Sequence, residues 1–175
     1  MNRALPPSIV ISHAAATWFM VGLIWTIHVV HYPLFSEVGA AEYVDFQAAH
    51  VERIGTLLLI PWAVEGVTAA AILVISVAAR DRRYLVPAVI GAVAMGVVLV
   101  ISGFWSAPAH ADLADGFDAD VHGRLMAADL VRTVAWTVRG VCAAWILAVF
   151  IGRSSSDRSP NPIDPADLQS PVDSR

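Results

Sequence analysis

Six histidines interrupt a 175-residue sequence in which 57% of residues are hydrophobic and only 15% charged. Five of them, His28, His31, His50, His110 and His122, fall near the ends of long apolar stretches, and only His13 lies towards the opposite ends. Imidazole binds zinc, copper and iron, haem iron included, and it also carries protons inside membranes. Three chemistries therefore compete for the same side chains. A bis-imidazole haem would take His28 or His31 from the first apolar stretch and His50 or His122 from another. A copper or zinc site would use His28, His31 and His50, with His110 and His122 as outer groups or a gate. A relay would need no metal. A carboxylate-bridged di-iron centre requires paired Glu-x-x-His motifs, and the sequence has none.

Two charged groups lie deeper. Glu65 falls eleven residues past Ile54, inside the second apolar stretch, hence ~16 Å beyond that point at the rise of a helix. Arg139 reaches a comparable depth on the fourth. A lone ion there costs at least ~2.5–3.5 kcal/mol, so a structural Glu65–Arg139 pair is the economical reading. Asp129, Arg132, Trp136 and Arg139 follow one another at helical spacing and form a stripe. Arg132 and Arg139 could instead anchor an anion, such as a carboxylate, a phosphate or a haem propionate. Trp25 and Trp136 lie beside the polar stripes and could stack on a planar ligand. Cys142, the only cysteine, falls in an apolar stretch. It excludes an intramolecular disulfide and zinc-finger or CxxC chemistry, and its ordinary role is packing.

The elements that must position these residues are membrane helices. Spanning ~30 Å of hydrocarbon takes about 20 apolar residues, and the chain offers four such stretches, at about 8–34, 50–79, 84–107 and 121–152. The first is too long past Ala14, Ala15 and Ala16 for a cleavable signal peptide, so it is read as an uncleaved span stopped by Pro33. His28 and His31, three residues apart, should share a helical face with His13. Small residues at Ala88, Ala92 and Gly96 allow close helix approach, and Pro61 should kink the helix that carries Glu65. An acidic loop with Asp112, Asp115, Asp118 and Asp120 joins the last two spans. The segment 154–175 is rich in Ser, Pro and Asp, without apolar periodicity, and reads as a disordered cytoplasmic tail.

Arginine placement sets the orientation. Arg3, Arg80, Arg82, Arg83, Arg153 and Arg158 fall on one side, against Arg53 and Arg124 on the other. The positive-inside rule then places both termini in the cytoplasm and the five histidines at the outer face. The net charge of −4 gives no footprint for nucleic acid.

The stretches GLIWTIHVVHYPLF, AAHVERIGTLLLIPWAVEG and HGRLMAADLVRTVAWTVRG resemble small four-helix bacterial membrane proteins, mostly without assigned function. More loosely, the layout is similar to anthrone-oxygenase-like membrane proteins and to the haem- or copper-associated HemJ and CopD types. The resemblance covers about 18–145, and it implies a redox or metal-linked role without assigning any catalytic residue.

The sequence thus predicts an all-α, four-helix transmembrane bundle, a multi-pass cell-membrane protein with the bilayer as its solvent. Its expected site is an outer cluster of His28, His31, His50 and His122 holding haem or a copper, zinc or iron ion, acting on a lipophilic small molecule. The alternative is a non-enzymatic membrane subunit or small transporter, alone or in a homo- or hetero-oligomer.

Overall fold

The computed structural model describes residues 5–156, and Arg3, Arg158 and most of the tail lie outside them. Four helical spans run Pro7–Glu37, Tyr43–Ala79, Arg82–Asp115 and Ala119–Ser155, each long and apolar enough to cross a membrane. They pack as one all-α bundle, the architecture of a multi-pass membrane protein. Large apolar side chains such as Leu59, Ile60, Val67, Val93 and Phe104 face outward, at 64–75% exposure. Glu65, Asp129, Thr17 and Gln47 are completely enclosed. Polarity is inverted relative to a soluble protein, because lipid offers polar side chains no partner.

α1 (Pro7–Thr26) begins on two prolines, whose missing amide and fixed φ suit a first helical turn. It widens into a π turn at Ile27–His31 and tightens into a 3-10 turn at Pro33–Glu37. α2 (Tyr43–Ala79) starts at Tyr43, not near His50, and its 37 residues extend well beyond one bilayer thickness. α3 (Arg82–Ile101) passes through a second π turn, Ser102–Ser106, into α4 (Ala107–Asp112). The third span therefore continues past Ala107, and Asp112 and Asp115 belong to helical turns, not to an acidic loop. α5 (Ala119–Ser156) completes the bundle.

Both π turns hold the same register to a proline. The amide of Tyr32 donates to the carbonyl of Ile27, and Pro33 follows. The amide of Ala107 donates to the carbonyl of Ser102, and Pro108 follows. A proline ring clashes with the carbonyl four residues back, and a widened turn relieves that clash while keeping the preceding amide bonded. Pro61 and Pro87 lie inside unbroken α-helix, so proline alone is not sufficient.

Three apolar layers stack along the bundle. Ile27, Phe35, Tyr43, Leu113 and Leu125 fill the histidine-rich end. Met20, Ile24, Val98 and Trp136 fill the middle, and Val10, Ile72, Tyr84 and Ile146 the far end. α1 and α5 meet closely at Gly140, where an added Cβ would lie 3.0 Å from Val21.

Candidate functional site

The first π turn explains the arrangement of the histidines. Widening the helix rotates His31 away from His28, so the two do not share a partner. His28 Nδ1 lies 3.1 Å from Asp129 on α5. His31 Nε2 instead lies 2.8 Å from His50 Nδ1 on α2. His122 turns to the backbone carbonyl of Tyr32, at 2.8 Å. His110, carried inward by α4, bonds Tyr32 and Gln47, and its ring centroid is 5.2 Å from that of His50. His13 is remote, beside Thr68 and Glu65.

Of the four expected ligands, only His31 and His50 touch each other. Their nitrogens are in direct hydrogen-bond contact, and a metal ion held by both would have to replace the proton that lies between them. Among the described residues no group of three His, Cys, Asp or Glu side chains is placed to hold a metal ion.

The element that joins these groups is Tyr32, which the sequence reading passed over. It is buried between α1, α4 and α5. Arg132 Nη2 donates to its phenolic oxygen at 3.3 Å and to Asp129 at 2.6 Å. On the other side His110 Nε2 lies 2.9 Å from the same oxygen. Gln47 donates its amide to His110 Nδ1 at 3.0 Å and to the His110 carbonyl at 3.3 Å. With Nδ1 accepting, the proton of a neutral His110 is on Nε2, which then donates to Tyr32. The phenolic oxygen thus accepts from two donors, and its own proton is left for another acceptor. Phe35, fully buried, packs the floor, with the rings of His31, Tyr32, Phe46 and His50 at centroid distances of 5.1–5.4 Å.

Below Tyr32 lies an apolar chamber of about 220 Å³. Met20, Ile24, Leu58, Val98 and Trp136 form its walls, and Tyr32, His110, Arg132, Ser102 and Ser106 its polar roof. Three further polar atoms of its lining are buried without a partner: Trp62 Nε1, Arg132 Nε and Ser106 Oγ. Two of these are obligate donors and the third can donate. Among the described residues no carboxylate lines the chamber; Asp129 lies outside its lining and is engaged by Arg132 and His28. The volume exceeds the ~150 Å³ that holds benzene in an engineered cavity, so it accommodates a small ring system.

The other predicted site residues are distributed differently. Trp136 is buried in the chamber wall, with Arg139 5.3 Å above its ring. Trp25 faces outward and donates to Thr137 at 3.1 Å, so it does not line the chamber. Arg139 is ion-paired with Glu65 and donates to the Gly91 carbonyl. Thr17 adds a 3.4 Å bond to Glu65. Among the described residues no side-chain hydrogen bond joins this deeper layer to the Tyr32 network; the Met20, Ile24, Val98 and Trp136 layer lies between.

Tyr32 and Gln47 each carried a weak sequence signal. Tyr32 directly follows His31, and Gln47 precedes His50 by three residues, one turn away on a helix. Neither residue type marks a site on its own. Compared with protein-family models, curated proteins and solved structures, the chain matches none.

Proposed function

We propose that this membrane protein takes a neutral lipophilic carbonyl compound from the bilayer into the chamber and holds its oxygen on Tyr32 and Arg132. The observation that carries this reading is the one-sided roof: Tyr32, Arg132, Trp62 and Ser106 line a single apolar chamber without a carboxylate among its described lining, and Arg132 Nε and Trp62 Nε1 are buried there without a partner. A buried donor without an acceptor costs about 1–3 kcal/mol, and a carbonyl oxygen relieves that cost. Asp129 already balances Arg132, so a neutral acceptor suits the roof better than an anion. Quinones belong to this class, which keeps a redox role within reach of the same site. The orientation of the reading places both termini in the cytoplasm and the roof towards the outer leaflet.

Metal or haem binding draws less support, because among the described residues no three ligating side chains are placed to hold a metal ion. A proton path across the bilayer also draws less, because the two polar layers are not joined by hydrogen bonds.

Naphthoquinone, a small lipophilic dicarbonyl, tests the reading through quenching of Trp62 and Trp136 fluorescence in detergent-purified protein. Tyr32→Phe removes one neutral hydrogen bond, about 0.5–1.5 kcal/mol, and should weaken binding roughly 2- to 10-fold. Arg132→Gln removes a charged donor and should weaken it by about 10- to 100-fold. Equal affinity in wild type and both variants would exclude the chamber as the binding site. A stoichiometric metal or haem band that disappears in His50→Ala would transfer the function to the imidazoles.

A further inference from the structure

A groove of about 390 Å³ opens between α1 and α2 onto the lipid-facing surface, beside the chamber under Tyr32. The two cavities share three wall residues, Leu23, Ile27 and Ile54. All three are aliphatic, so an alkyl chain passing between them would desolvate no polar side chain. On the groove side the wall continues through Val30, Leu34 and Leu57, which face outward at 46–53% exposure. The polar members of the lining are engaged or peripheral. The Thr26 hydroxyl donates to the Gly22 carbonyl, and His31 and His50 bond to each other. Arg53 is exposed and lies one helical turn from Leu57, towards the histidine-rich end.

A further groove, between α2 and α4, also meets the chamber, at Ile54, Ala107 and His110. Its lining carries Gln47, Glu52 and His110, and hydrocarbon laid on these side chains would strip them of water. The α1–α2 groove has no carboxylate among its described lining. We infer that the carbonyl compound held in the chamber bears a long alkyl chain, which leaves between Leu23, Ile27 and Ile54 and lies in the α1–α2 groove. This substrate class, a quinone-like ring with an aliphatic tail, rests on the function proposed above. The ring keeps its oxygen on Tyr32 and Arg132, and the tail gains packing contacts along the groove.

The test uses the full chain in detergent and two probes read by tryptophan quenching, naphthoquinone and the same ring carrying a linear decyl chain. The tailed probe should bind about tenfold more tightly, from the added contacts along the groove. Thr26→Phe puts a ring into the exposed groove and should cut that gain to about twofold or less, with the affinity for plain naphthoquinone unchanged. Val30→Phe, on the same wall, should do the same. Ala111→Phe, in the α2–α4 groove, should leave both affinities as they are. A gain that survives Thr26→Phe and Val30→Phe, or that falls as much in Ala111→Phe, would overturn the inference. So would equal affinity of the two probes in the wild type; if Tyr32→Phe and Arg132→Gln still weaken both, the chamber keeps its function and only the tail is lost. Binding of neither probe would overturn both readings.

Discussion

At the scale of single residues, the membrane interior makes each polar atom informative. Glu65 and Arg139 are both buried within the bundle and in contact. Removing one charge strands the other, which typically costs ~3–5 kcal/mol. Glu65→Gln should therefore lower the folded yield and the unfolding midpoint in detergent, and adding Arg139→Met should restore part of the loss. Strictly additive effects would show that the two side chains are energetically independent. The depth of both residues follows from counting along an apolar stretch, and their contact follows from the penalty for a lone ion. Tyr32 is different. No count of charges reveals that a phenol flanked by Arg132 and His110 keeps a proton to give, because that depends on which nitrogen of His110 bonds Gln47.

At the scale of elements, length and hydropathy determine the four spans almost completely, whereas helix phase depends on local hydrogen bonding. Each π turn shifts the face of every residue that follows, so the shared face assigned to His28 and His31 by a uniform 3.6-residue period does not hold. The X-Pro steps at Tyr32–Pro33 and Ala107–Pro108 carry that information, but Pro61 and Pro87 show that the same residue is compatible with regular helix. The α1–α5 contact is governed by a simpler rule. At Gly140 an added Cβ would meet Val21 at 3.0 Å and Trp18 at 3.6 Å. Overpacking of this kind costs about 1–3 kcal/mol. Gly140→Leu should accordingly reduce resistance to denaturation in detergent, while Gly96→Leu, with nothing within 4 Å of its Cβ, should not. Equal loss in both variants would indicate that α1 and α5 are not in contact there.

At the scale of the whole molecule, charge distribution decides which way the bundle faces. Arg80, Arg82 and Arg83 cluster where α2 meets α3, and Arg153 reaches that turn through a 2.5 Å bond to Asp81. The opposite end carries Arg53 and Arg124 together with Asp112, Asp115, Asp118 and Asp120. Short arginine-rich loops are retained in the cytoplasm during insertion, and acidic residues contribute little to the choice. A reporter fused after Arg153 should thus be active only in the cytoplasm, and one inserted at Asp115 only outside. Because the bias rests on so few residues, it is also reversible by design. Replacing Arg80, Arg82 and Arg83 with Gln, while adding three arginines beside Asp118, should invert part of the population and exchange the two reporter signals. A wild-type Asp115 reporter active in the cytoplasm would reverse the orientation and turn the Tyr32 roof inward. The chamber would keep its geometry, since its walls come from helix packing rather than from the side each end faces.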